Sequence, residues 1–123
     1  MTIAEVSKKL EISADTLRYY ERIGLIPPVP RNNSGIRDYD EKSIGWLNFI
    51  KCMKKSGLKL EKLIEYVNLF QEGEATKATR KNILVEQREE LIERINELND
   101  TLNYLNKKIE NYELIVEVEK SLE

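Results

Sequence analysis

The sequence predicts a mainly α-helical chain, with a winged helix-turn-helix head followed by one long coiled-coil helix. Three observations carry that expectation. Short amphipathic patterns fill the N-terminal part and are divided by clusters of turn-forming residues. All three prolines stand at Pro27, Pro28 and Pro30, and the last glycine is Gly73, so nothing beyond Gly73 interrupts a helix. Apolar residues then recur at heptad spacing through that uninterrupted stretch.

The first helix is expected over residues 3–11. Thr2 followed by Glu5 has the spacing of a capping box, and Ile3, Val6 and Leu10 form the apolar stripe behind it. Ser13 caps a second helix that turns Leu17 and Tyr20 inward and Asp15, Arg18, Tyr19 and Arg22 outward, with Gly24 as its left-handed stop. The prolines then force an extended path. Residues 32–35 (Asn-Asn-Ser-Gly) form a hairpin turn, and residues 36–39 form a short strand. Asp40 caps a third helix over residues 41–56, stopped by Gly57, with Ile44, Leu47, Ile50 and Met53 as its core face. A fourth helix over residues 60–71 is expected to bury Leu60, Leu63, Ile64, Val67 and Phe70.

The last segment divides from the head near Gly73. The domain expectation is a head over residues 1–72 and a coiled-coil dimerisation helix over residues 76–119. Leu84, Leu91, Leu98, Leu105 and Tyr112 share one heptad position; Arg88, Ile95, Leu102, Ile109 and Val116 share the other. A single helix with such a seam must bury it against another, and β-branched residues paired with leucine favour two strands, so a homodimer is expected. Arg88 at a seam position has no explanation in the pattern.

Composition narrows the chemistry. The chain has one cysteine, Cys52, and no histidine. Ser/His and Cys/His catalysis are excluded, as is a His-containing metal site. One thiol cannot build a thiolate cluster, although two subunits could share one. No cofactor is expected, and the protein is not expected to be an enzyme. The net charge of −2 conceals an asymmetry. Through Leu58 there are 10 Lys/Arg against 7 Asp/Glu, and beyond it 10 against 15. Only the N-terminal half offers a face that attracts phosphate. The N-terminus enters a polar amphipathic pattern at once, without the look of a secretory signal, and no apolar run approaches the ~20 residues of a membrane span. A cytoplasmic location and no membrane partner are expected.

The run Ala14-Asp15-Thr16-Leu17-Arg18-Tyr19-Tyr20-Glu21-Arg22-Ile23-Gly24-Leu25-Ile26, then Ile36-Arg37-Asp38-Tyr39, then Gly57-Leu58-Lys59-Leu60-Glu61, resembles the signature of MerR-family transcription regulators. The resemblance covers residues 1–72 closely and the terminal helix in kind. It implies a dimer joined through an antiparallel coiled coil, bound to promoter DNA whose spacer between polymerase elements is too long. Bending and untwisting that DNA would realign the elements for RNA polymerase, a partner reached indirectly. Such deformation costs ~1–10 kcal/mol and is repaid through added contacts.

Under that resemblance Thr16, Arg18, Tyr19 and Arg22 are the DNA-facing residues of the second helix. Arg18 would reach a base edge or phosphate and Tyr19 the backbone or a base, whereas Tyr20 packs inward. In the wing, Arg37 would reach phosphate or a narrow minor groove, and Tyr39 would stack beneath it or bond to phosphate. Arg31 and Asn33 are further backbone contacts, although forming the turn is the default for Asn33. Lys54 either complements the third helix's dipole or, by family position, approaches the operator centre.

Cys52 has two readings. A small, partly buried residue beside the third helix's core is the common one. Its neighbours Lys51, Lys54 and Lys55 favour a reactive thiol instead, and its place resembles the NmlR/AdhR-like subgroup that responds to reactive aldehydes or oxidants. Metal-sensing relatives carry cysteines near the ends of the dimerisation helix, and none follows Cys52 here. The chain also ends after the coiled coil, so no separate drug-binding domain is expected. The competing function is a coiled-coil protein-interaction module with no specific DNA operator.

Overall fold

The computed structural model describes residues 1–122, and within them the side chains of all but Glu113, Ile115, Val116 and Val118. Six α-helices follow in order: α1 (Ile3–Leu10), α2 (Ala14–Arg22), α3 (Glu41–Lys55), α4 (Leu60–Glu72), α5 (Lys77–Glu110) and α6 (Tyr112–Ser121), with a 3-10 turn at Glu74–Thr76. The chain divides into two compact units, Met1–Gln87 and the remainder from Arg88.

Side-chain chemistry sets the helix starts. At α1, Thr2 Oγ1 accepts the Glu5 N–H at 3.2 Å while Glu5 Oε1 accepts the Thr2 N–H at 3.1 Å, the reciprocal pair of a capping box. Ser13 and Asp40 accept from the backbone N–H three residues on, at 3.1 and 2.8 Å, and start α2 and α3. The stops after α2 and α3 are equally local. Gly24 at φ 78° lets the Leu25 N–H reach Tyr20 O at 2.9 Å, and Gly57 at φ 87° lets the Leu58 N–H reach Met53 O at 3.0 Å. The first helix ends without glycine: Glu11 itself takes the left-handed conformation at φ 56°.

The core of the first unit gathers Val6 and Leu10 from α1, Leu17 and Tyr20 from α2, Leu47 and Ile50 from α3, and Leu63 from α4. Leu25, Ile26 and Val29 bring the connecting segment into the same cluster. On α3, Ile44 and Met53 pack at its edge as partly buried residues. Two expectations for α4 fail. Leu60 and Phe70 remain 40% and 45% exposed, because α4 buries only the Leu63–Val67 line. The wing also differs. Its turn forms, with Gly35 N–H bonded to Asn32 O at 2.9 Å, but its arms meet in one antiparallel bridge, Arg31 with Arg37. No strand exists among the described residues. Proline explains the brevity, since neither Pro28 nor Pro30 has an N–H to extend a ladder.

The C-terminal helix departs from the single rod expected over residues 76–119 in two places. Its first turns pack on the head, burying Ile83 and Gln87, and the Gln87 amide donates to Ser56 O at 2.7 Å. Leu84 and Leu91 are half-buried, and Arg88 is exposed with its guanidinium 3.2 Å from Glu89. The helix then breaks at Asn111. Lys108 Nζ lies 3.7 Å from Glu119 Oε1. Eleven residues of straight helix would hold their Cα atoms ~16 Å apart, slightly more than the two extended side chains can span, so the helix axis bends at Asn111. Between these points Ile95, Leu98, Leu102, Leu105 and Ile109 are exposed along α5, as is Tyr112 at the start of α6. The Val116 side chain lies outside the described residues.

Gly45 stands inside α3, is exposed, and has nothing within 4 Å of where a Cβ would be. Gly45→Ala is therefore expected to raise stability by roughly 0.5–1 kcal/mol, through helix propensity alone. Urea unfolding at equal chain concentration measures it, and a lower midpoint for the variant contradicts this reading of α3.

Candidate nucleic-acid interface

The outward face of α2 follows from its inward one. Leu17 and Tyr20 are buried, so Arg18, Tyr19 and Arg22 project to solvent on the opposite side. Arg18 Nη1 lies 3.0 Å from Asp15 Oδ1, one turn back on the same helix. Both side chains are well exposed, and such a pair is weak enough to be exchanged for another anion. The Arg22 guanidinium sits 5.4 Å from the centre of the Tyr19 ring, a cation–π contact that holds both at the surface. Thr16 is half-buried, and its hydroxyl accepts from Ser13 Oγ at 2.7 Å, which ties it to the cap.

The wing is attached to this helix by a carboxylate that the sequence reading passed over. Glu21 Oε1 accepts from Arg37 Nε at 2.6 Å, and Glu21 Oε2 accepts the Val29 N–H at 2.9 Å. One side chain thus joins α2, the proline-stiffened segment and the wing. Burial pushes the Glu21 carboxyl up, but the hydrogen bonds from Arg37 and Val29 outweigh it and hold the group below its ordinary value of 4.5. Glu21 sits inside the Tyr-Tyr-Glu-Arg motif, so the signal was present. Its partner sixteen residues away was not predictable from spacing.

The remaining wing residues separate into different places. Arg31 Nη1 donates to Gly35 O at 2.7 Å, bracing the turn from across the bridge. Asn32, rather than Asn33, shapes the turn, its Oδ1 accepting the N–H groups of Ser34 and Ile36 at 2.9 and 3.1 Å. Asn33 is exposed at the tip. Tyr39 is a correction. It is 1% exposed, and its hydroxyl is buried and, among the described residues, without a hydrogen-bond partner, so it is not open to phosphate, although it lies close enough to Arg37, Glu21 and Arg18 to feel their charges. The chain turns Tyr39 into the core immediately before the α3 cap. That burial also raises the Tyr39 hydroxyl pKa.

On α3, Lys51 and Lys54 bind the head together. Lys51 Nζ donates to Leu10 O at 2.7 Å, at the C-terminal end of α1. Lys54 Nζ lies 3.0 Å from Tyr20 Oη and 5.3 Å from that ring's centre, linking α3 to α2. Neither reading made for Lys54 from sequence anticipated this partner. Cys52, between these lysines, is exposed rather than partly buried.

The structure brings Arg18, Tyr19, Arg22 and Arg37 onto the α2–wing surface, and places Lys54 and Cys52 on α3. Comparisons with known proteins identify the family. The family model "MerR HTH family regulatory protein" matches residues 1–69, and "MerR, DNA binding" matches residues 44–108. The regulator AdhR of Bacillus subtilis is 60% identical over 93 residues, which is 76% of this chain and 66% of that protein. A MerR family transcriptional regulator from Listeria monocytogenes superposes with a TM-score of 0.87 at 44% identity, covering 99% of this chain and 93% of that one. HiNmlR, a MerR family regulator lacking the sensor domain and bound to promoter DNA, gives 0.82 at 31% identity, with 91% and 89% covered. Against the curated relatives the chain spans between 48% and 66% of their length. It belongs to the MerR family of helix-turn-helix regulatory proteins.

Proposed function

We propose that this chain is a sequence-specific transcription regulator, a homodimer that binds and distorts an overlong promoter spacer and so acts on RNA polymerase indirectly. The observation that carries it is the Glu21 junction, which fixes the wing arginine to the helix that exposes Arg18, Tyr19 and Arg22. A groove-reading helix and a backbone-reading wing must keep one spacing to engage a single duplex, and a shared carboxylate supplies it. The promoter-bound state of HiNmlR supports the same reading.

In this scheme residues 1–72 are the DNA-binding head and residues 76–119 the dimerisation element. Arg18 reads a base edge or phosphate, with Tyr19, Arg22 and the more recessed Thr16 beside it. The outer edge of the Arg37 guanidinium, Arg31 and Asn33 contact backbone. Lys54 acts from α3 through its contact with Tyr20. The exposed residues Ile95, Leu98, Leu102, Leu105, Ile109 and Tyr112, with the half-buried Leu84 and Leu91, supply the pairing surface. Among the described residues no helix is long and apolar enough to cross a membrane, and a cytoplasmic site of action follows from the proposed partner. The exposed Cys52 thiol is the proposed switch, modified by aldehyde or oxidant in a stress response.

Arg18→Ala is expected to weaken binding to the chain's own upstream DNA by ~1–3 kcal/mol while leaving subunit assembly unchanged. A gel shift at physiological salt checks this, and wild-type affinity removes Arg18 from the interface. Glu21→Gln is expected to loosen the wing and lower affinity in the same assay. Because the Glu21 pKa is depressed in the folded state, its pairing energy is complete above the ordinary value of 4.5 and is lost as pH falls through the depressed one. Melting temperatures of wild type and Glu21→Gln should therefore converge in acid, and a gap constant from neutral pH to pH values well below 4.5 would contradict the clamp. Cys52→Ser should bind the promoter normally yet no longer respond to aldehyde or oxidant in a reporter strain. A retained response returns Cys52 to a structural role.

A further inference from the structure

A second surface of the head remains without a role in the promoter-binding reading. Trp46 and Phe49 stand three residues apart on α3, and Tyr66 and Phe70 four apart on α4, so each pair shares a helix face. The two faces meet through their rings: Trp46 and Phe70 lie edge to ring with centroids 4.9 Å apart, and Phe49 and Tyr66 are tilted at 33° with centroids 5.0 Å apart. None of the four is fully buried. They wall a groove of about 740 Å³ within the first unit, which Pro27 and Pro28 help to line. That volume lies inside the ~300–1,000 Å³ range of small-molecule sites.

The charge at the rim selects the ligand. The Arg80 guanidinium lies 5.4 Å from the Phe70 ring centre and is oriented by Nε donating to Thr76 Oγ1 at 3.1 Å. Lys42 also lines the groove and has no ion-pair partner among the described residues. Asp40 is the sole carboxylate in the lining, and one of its oxygens already accepts from Ser43 N and Oγ at 2.8 and 2.9 Å. Two cations against one engaged carboxylate leave the rim positive. A cationic ligand seeking the ring faces would meet Arg80 already placed over one of them.

We propose that this groove binds a small aromatic carboxylate, its ring against the four aromatic side chains and its carboxylate at Arg80 and Lys42. Arginine suits that end because its fork pairs with a carboxylate through two parallel hydrogen bonds. None of the residues assigned to DNA lines the groove, so the site is separate from the promoter surface.

The test is calorimetric titration of the full chain, without DNA, with 2-naphthoate, its neutral amide and 2-naphthylmethylammonium. Fluorescence of Trp46, the chain's only tryptophan, is followed in parallel. Saturable binding of one naphthoate per chain with a Trp46 response is expected. Weakening of about tenfold or more is expected for the amide, and for the chain carrying both Lys42→Gln and Arg80→Gln, as befits loss of charge-assisted hydrogen bonds. Phe70→Ala should also weaken it, and because Phe70 is 45% exposed the truncation spares the core. Thermal melts establish that each variant is folded. The proposal is overturned if naphthoate does not saturate, if the amide or ammonium binds as well, or if folded variants bind like wild type. It is equally overturned if Phe70→Ala makes the protein monomeric, which would make the groove a subunit contact. With no DNA present, failure here leaves the promoter reading intact, and a failed gel shift leaves this one intact.

Discussion

An apolar stripe surrounded by water is the constraint on which the organisation of this protein depends. Leu98 and Ile109 are 61% and 69% exposed on α5, with Ile95, Leu102 and Leu105 in the same line. Burying a side chain of that size is worth roughly 1.5–3 kcal/mol, so five of them form a strong drive for association. Heptad spacing makes another helix the natural cover, and in the proposed dimer that helix is α5 of a second copy. Pairing then turns a small head, with one short reading helix, into a two-headed reader. Such a reader can demand a particular distance between half-sites and can spend binding energy on deforming the DNA between them.

Within each head, polar side chains add to the shared core in holding the reading elements in place. Glu21 fastens the wing to α2, Lys54 fastens α3 to α2 through Tyr20, and Lys51 fastens α3 to α1 through Leu10 O. Gln87 fastens the start of α5 to the end of α3 at Ser56. These ties form a chain from the pairing helix to the wing. A displacement at α5 therefore has a physical route to the DNA-facing surface, through Ser56 and α3. Cys52 is exposed on the same helix, one turn before Ser56.

Much of this was legible in the sequence because it is written in local chemistry. The Thr2/Glu5 box, the Ser13 and Asp40 caps and the glycines at 24 and 57 specify helix ends within a few residues of themselves, and the structure follows them closely. The Ala14–Ile26 motif likewise identified the outward face of α2. Contacts between distant residues were hidden. Nothing in spacing says that Glu21 meets Arg37, or that Gln87 reaches Ser56 thirty-one positions away. Tyr39 misled because a residue of the wing arm was expected at the surface, and it belongs to the core cluster instead. The break at Asn111 misled for another reason, since no proline or glycine marks it and the heptad pattern continues across it. The aromatic groove went unseen because Trp46, Phe49, Tyr66 and Phe70 look like ordinary core positions until α3 and α4 are set side by side.

The central claim is that two heads, paired through α5, occupy one duplex at once. Native mass spectrometry of the purified protein on its own upstream DNA, combined with hydroxyl-radical footprinting of the same complex, tests it most directly. Two chains per duplex are expected, with two protected segments related by symmetry on one side of the helix. A single chain per duplex, or one isolated protected segment, would contradict it.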